Sequence, residues 1–145
     1  MTDQQSQPSP IDGPANSNGT AELTTKTSPR SVADTVARLQ SLTEAKGMKV
    51  FAVIDHSGEA KKAGLDLRDT KVVVFGSPQA GTPVMEAVPL AALDMPLKVL
   101  IWSDDGQTKV TYTAPRALGA RYGLSQELAA RLAGIDGLTD GLVSE

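Results

Sequence analysis

Residues 97–113, LKVLIWSDDGQTKVTYT, decide the fold because they have the pattern of two β-strands joined by a tight turn. Leu97 to Trp102 is an apolar strand, and the returning strand alternates, with Val110 and Tyr112 on one side. The Asp104-Asp105-Gly106 turn between them ends in a glycine, which supplies the positive φ that tight hairpin turns require. This stretch therefore predicts an antiparallel hairpin with one covered face.

Three further strands are predicted upstream of this hairpin. Met48 to Asp55 is apolar on both faces, which is typical of a central strand. Lys71 to Phe75 is a second buried strand, and Glu22 to Ser28 alternates weakly until Pro29 ends it. Together with the hairpin, these segments make a sheet of about five strands.

One amphipathic helix is predicted from Val32 to Lys46. The Ser31 hydroxyl stands where it can cap a free backbone N–H, and Asp34 lies in the positive first turn. Gly47 supplies the left-handed residue that ends the helix. The helical spacing of the apolar residues gives this element one face that must be buried against the sheet.

The C-terminal region is predicted to be helical from Pro115, to break at Gly123 and to restart at Ser125, whereas the residues from Gly134 onward are weakly specified. The element order is therefore β-α-β4-α with short helices between the strands. This order predicts an α+β domain whose mostly antiparallel sheet carries helices on one face.

The composition is that of a globular domain behind a polar N-terminus. Of the 145 residues, 40% are apolar and 21% charged, so we expect a disordered tail at 1–21 and a single domain at 22–145. The absence of cysteine excludes disulfides and thiolate chemistry. A net charge of −3 and 3% aromatic residues disfavour nucleic-acid binding. With neither a signal peptide nor a membrane-spanning stretch, we expect a cytoplasmic protein.

Several segments together resemble a known family, the domain of unknown function 302. They are SVADTVARL (31–39), VFAVIDH (50–56), VFGSP (74–78) running into GTPVM (81–85), MPLKV (95–99) and residues 112–115. The resemblance implies a curved antiparallel sheet, similar in outline to the TATA-binding-protein-like fold, in a protein that is often a homodimer. It brings no agreed catalytic residues and no cofactor, and Ser77 stands where Asn is more typical. A shared fold outline does not transfer DNA binding.

The loop from Gly76 to Pro83 is the first candidate site. Thr82 followed by Pro83 predicts a helix start at which free N–H groups could hold a small anion, with Lys98 or His56 adding positive charge. The alternative is a rigid turn in which Gly76 and Gly81 supply positive φ. The candidate ligand-binding residues are Gly76, Ser77, Gly81, Thr82 and Lys98.

Asp55 and His56 are the second candidate, for acid–base chemistry or metal binding. Adjacent strand residues point to opposite faces, so the carboxylate is poorly placed to orient the imidazole ring. The chain has no second histidine for a typical zinc set, and Asp104 and Asp105 fit a solvated hairpin tip. We expect no metal, and we expect Ser57 to cap the short helix that follows.

These patterns favour a non-enzymatic binding or interaction module, a homodimer, with a small anionic ligand at the Gly76–Pro83 loop. The first alternative is an enzyme that uses Asp55 and His56. The second, disfavoured alternative is nucleic-acid binding through the sheet face. Three methionines, Met48, Met85 and Met95, are expected to fill the core.

Overall fold

The structure is a computed structural model that describes residues 21–145, and its strands form one open five-stranded sheet. The strands are β1 (Leu23–Ser28), β2 (Lys49–Asp55), β3 (Thr70–Gly76), β4 (Leu97–Asp104) and β5 (Gln107–Thr113). They lie in the order β1-β5-β4-β3-β2, and each neighbouring pair is antiparallel. The predicted α+β class is confirmed. Apart from Ala21, the predicted tail lies outside the described residues.

Six α-helices and one 3₁₀-helix accompany the sheet within this range. They are α1 (Val32–Ala45), α2 (His56–Lys62), α3 (Pro78–Ala87), the 3₁₀-helix (Pro89–Asp94), α4 (Pro115–Tyr122), α5 (Gln126–Ala130) and α6 (Gly134–Val143). The start of α1 is as predicted, because the Ser31 hydroxyl accepts the Asp34 N–H at 3.0 Å. Its end is also as predicted, since Gly47 has a φ of 75°.

The inner face of the sheet is buried by a first core cluster. Every second residue of β3, β4 and β5 contributes to this face, and α1 and α6 cover it. The fully buried side chains of the strands are Val73, Phe75, Val99, Ile101 and Val110. Tyr112 is also inward, so the alternation of the hairpin is confirmed.

A second core cluster lies beyond the end of β3 and the start of β4, which are neighbours in the sheet. Its buried members are Val84 of α3, Ala91 of the 3₁₀-helix, Leu118 of α4 and Leu132, which follows α5. Leu97 is half-buried and packs against both clusters. The domain therefore has two apolar centres that adjoin at the start of β4.

Helix α6 is a regular element in the region that the sequence specifies weakly. Ile135, Leu138 and Leu142 are spaced to form one helical face, and that face is buried in the first cluster. Gly134, Gly137 and Gly141 obscure the signal because glycine is a poor helix former. Burial against the sheet overrides this low propensity.

Strand β2 lies at an edge of the sheet, so the prediction of a central position is wrong. A bulge between Val50 and Ala52 interrupts its pairing with β3 and changes which residues share a face. Val53 pairs with Val73 of the covered face, and Ile54 lies on the other face. The residues are apolar on both sides although neither side is deeply buried.

The other face of the sheet carries an apolar stripe that lies outside both core clusters of the described residues. Val72, Val74, Leu100 and Trp102 are half-buried there and belong to neither core cluster. The Trp102 ring is fixed by the hydrogen bond that its Nε1–H donates to Thr111 Oγ1 at 3.0 Å. One face of the sheet is thus buried in the core of the domain, and the apolar residues of the other face lie outside both described clusters.

A candidate binding cleft at the seam of two cores

A half-enclosed cleft of about 220 Å³ lies where the two core clusters adjoin. It is bounded by the end of β3, the first half of α3 and the start of β4. Both clusters contribute large apolar side chains to its wall: Met48 and Phe75 from the first, Met95 and Leu132 from the second, and Leu97, which packs against both. Phe51 and Met85 complete the apolar lining. The cleft is therefore a gap in the packing between two apolar centres.

Of the described side chains that line the cleft, three have polar hydrogen-bonding groups: Ser77, Thr82 and Arg131. The Ser77 hydroxyl precedes α3 but makes no capping hydrogen bond. Arg131 follows α5 and is exposed, and no described acidic group lies within ion-pair distance of it. The cleft combines an apolar wall with a few polar groups, as small-molecule sites commonly do.

Helix α3 begins at Pro78, so the predicted helix start at Thr82 is wrong. Ser77-Pro78 carries the same start signal five residues earlier, and Pro83 is accommodated inside the helix. Pro78 has no N–H, and the N–H groups of Ala80 and Gly81 already donate to the Ser77 carbonyl at 3.0 and 2.8 Å. Few backbone donors therefore remain for an anion at this helix start.

Gly76 and Gly81 serve close packing rather than turn geometry, since neither has the positive φ expected of them. A Cβ at Gly81 would lie 3.0 Å from Met95 Cε, and one at Gly76 would lie 3.3 Å from Pro96 Cβ. The two glycines let α3 and the end of β3 approach the residues before β4. They help to set the width of the cleft.

Of the predicted ligand-binding residues, the structure brings together Gly76, Ser77, Gly81 and Thr82, which all line the cleft. Lys98 pairs with Val74 and lies on the face of the sheet away from the covered core, so it does not join them. His56 lies at the opposite end of β2 and is likewise absent from the cleft.

Asp55 caps helix α2 and does not orient His56. Its carboxylate accepts the Ser57 hydroxyl at 2.7 Å and the Gly58 N–H at 2.9 Å. These two hydrogen bonds hold the pKa of Asp55 below its ordinary value. The predicted capping role of Ser57 is wrong, because its Oγ instead accepts the Thr70 N–H at 3.1 Å and joins α2 to β3. Capping therefore occupies the Asp55 carboxylate, whereas the His56 ring is exposed.

Two features of the cleft escape sequence reasoning. Met48, Met85 and Met95, expected as core filler, are half-buried and line the cleft. Arg131 directly follows α5 and, like Leu132, is distant in sequence from the other residues of the cleft, so no local pattern indicates that it lies near the end of β3. Within residues 21–145, no group of three His, Cys, Asp or Glu side chains is arranged to hold a metal ion.

The family model of the domain of unknown function DUF302 matches residues 24–139, which contain the sheet apart from Leu23 and all residues that line the cleft. This chain belongs to the DUF302 family. The resemblance drawn from the sequence segments is therefore confirmed.

The fold of this DUF302 domain is similar to that of a solved structure. The crystal structure of an uncharacterized conserved DUF302 protein from Bacillus stearothermophilus superposes with a TM-score of 0.73 at 19% sequence identity. The match covers 84% of this chain and 95% of that one. At this level of identity, the similarity concerns the fold.

Curated relatives of this DUF302 chain are longer proteins. "Fluoride-specific ion channel FluC 1" of Brucella suis biovar 1 (strain 1330) and of Brucella abortus biovar 1 (strain 9-941) are each 39% identical to it over 110 residues. The match takes in 74% of this chain but 43% and 41% of those proteins, so the chain spans less than half of their length. Among the described residues, no helix has the length and apolar character to span a membrane.

Proposed function

We propose that this DUF302 domain is a non-enzymatic binding module whose cleft takes a small, mainly apolar molecule. The observation that carries the proposal is the wall of the cleft, where aromatic rings and three methionines surround about 220 Å³. Methionine side chains are flexible and polarisable, so they adapt to ligands of different shape. Burial of apolar surface supplies the affinity of such a site, and a few polar groups orient the ligand.

The cleft favours an apolar ligand over the small inorganic anion suggested by the loop sequence. Backbone N–H groups at the start of α3 are largely used within the helix, and Lys98 lies elsewhere. Catalysis is less well supported, because the three polar side chains of the cleft include no acid–base pair. We therefore propose that the ligand binds beside the Gly76–Pro83 segment, as the sequence predicts, but that most of the ligand is apolar.

Filling the cleft should abolish binding of a ring-sized probe. We expect 2-phenylethanol to bind the wild-type protein with a Kd of about 1 mM, which corresponds to about 4 kcal/mol. Ala80→Leu places extra carbon atoms in the cleft and should weaken this binding about tenfold or more in isothermal titration calorimetry. Ala87→Leu, at the exposed end of the same helix, is the matched control. Equal affinity in all three proteins, with unchanged circular dichroism, would contradict the proposal.

We also infer that the domain forms a homodimer through the free edge of β2. Residues 50–54, VFAVI, carry no charge, and Phe51, Val53 and Ile54 are 46%, 39% and 41% exposed. A free edge strand presents unpaired N–H and C=O groups, and proteins usually protect such edges with charged residues. Antiparallel pairing with β2 of a second copy would satisfy these groups and cover the apolar side chains. Only Trp102 is aromatic on the open face, which leaves nucleic-acid stacking disfavoured.

A charge on the β2 edge should separate the dimer. Ile54→Lys is expected to sediment as a folded monomer, because pairing would bury the new ammonium group. Leu93→Lys changes a leucine that is 83% exposed on the 3₁₀-helix, so it should remain a dimer like the wild type. A monomeric wild-type protein at high protein concentration in analytical ultracentrifugation would refute this assembly.

The curated relatives favour a second candidate function, association with a fluoride-specific channel. In those proteins the segment similar to this chain is part of a longer chain that bears the channel name. Two functions joined in one chain in some bacteria are often carried by separate, cooperating chains in others. We propose that this domain acts as an accessory of such a channel, with its cleft or its β2 edge available for regulation.

Loss of this chain should then change fluoride tolerance. Deleting its gene in its own host should lower the fluoride concentration that stops growth, and a plasmid copy should restore it. Chloride at matched concentration controls for a general salt effect. Identical fluoride tolerance of the deletion and wild-type strains would remove the channel candidate without affecting the ligand proposal.

A further inference from the structure

Among the described residues that line the cleft, Arg131 alone has a charged side chain, and no described acidic group is paired with its guanidinium. It stands just after α5, is exposed, and therefore lies on the open side of the cleft. Glu127, four positions earlier, does not come within ion-pair distance, and none of the other described acidic side chains does so. None of the acidic side chains in residues 21–145 lines the cleft, so the described part of its mouth presents positive charge to an incoming molecule.

We propose that the cleft selects monocarboxylates with an apolar body about the size of one aromatic ring. The proposal rests on the proposed function, that the cleft binds small apolar molecules, and names their chemical class. The apolar body would lie against Met48, Met85 and Met95, and the carboxylate would face Arg131 at the mouth.

The head group follows from the number and type of polar partners. A guanidinium presents a planar fork of N–H donors that matches the two oxygens of a carboxylate. The hydroxyls of Ser77 and Thr82 add two donors on the α3 side of the same cleft. One cation balances one negative charge, whereas a doubly charged phosphate ester would lack a second cation at this site.

The size of the ligand body follows from the volume of the cleft. A dry apolar cavity of about 150 Å³ accepts benzene. This cleft measures about 220 Å³, which leaves room for one ring and a short arm that reaches the mouth. Drug-sized ligands need pockets of about 300 Å³ or more, so larger carboxylates such as long fatty acids exceed this site.

Three probes of equal shape separate the head group from the body: phenylacetate, 2-phenylethanol and 2-phenylethylamine. By isothermal titration calorimetry we expect phenylacetate to bind the full-length wild type about tenfold more tightly than the alcohol, which corresponds to about 1.4 kcal/mol. The amine should bind more weakly than the alcohol, since the mouth of the cleft is positive. Arg131→Gln should bring the affinity for phenylacetate down to that for the alcohol, and Arg131→Lys should retain part of the preference.

Arg68→Gln is the matched control, because Arg68 is exposed in the segment before β3 and outside the cleft. It should leave all three affinities unchanged. If the alcohol binds but phenylacetate binds no better, or if Arg131→Gln keeps the preference, the carboxylate inference is wrong and the apolar cleft stands. If none of the three probes binds, both the inference and the proposed function are wrong.

Discussion

The structure depends on how its helices cover the sheet, because they bury apolar residues in two adjoining cores and not in one. Helices α1 and α6 bury the inner face of the central strands, and a separate cluster built from α3, the 3₁₀-helix and α4 continues beyond the strand ends. Leu97 belongs to the margin of both clusters. Because side chains from two rigid clusters must meet there, close packing is hardest to achieve at this seam, and the cleft lies along it.

The placement of flexible side chains at the seam agrees with this view. Each of the three methionines in the described range lines the cleft, and Gly81 allows the terminal methyl groups of Met85 and Met95 to approach the backbone of α3. A rigid branched residue would either fill the gap or leave a fixed void, whereas methionine does neither. The flexibility of the methionine side chains therefore lets the wall of the cleft adapt to a ligand.

Much of the fold could be predicted from the sequence, because local patterns with strong physical causes define it. The 97–113 hairpin and helix α1 are specified by alternation, turn glycine and capping residues, and both are found as expected. Sequence patterns were insufficient where contacts between distant parts of the chain determine the position or the conformation of an element. β2 is apolar on both faces although it lies at an edge of the sheet, and α6 is helical despite its glycines because its apolar face is buried against the sheet. The sequence could single out the Gly76–Pro83 segment, most of which lines the candidate cleft, whereas Arg131 is brought there only by tertiary structure. That these residues bind a ligand stays a prediction.

The central claim, that the seam is the ligand site, can be tested directly by NMR of protein labelled with [methyl-¹³C]methionine during titration with 2-phenylethanol. We expect the methyl signals of Met48, Met85 and Met95 to shift together along a single binding curve, because all three side chains line the cleft. The same titration of Ala80→Leu should leave them in place. If calorimetry detects binding to the wild type but these three signals do not shift, the ligand does not bind in the cleft and the central claim is wrong.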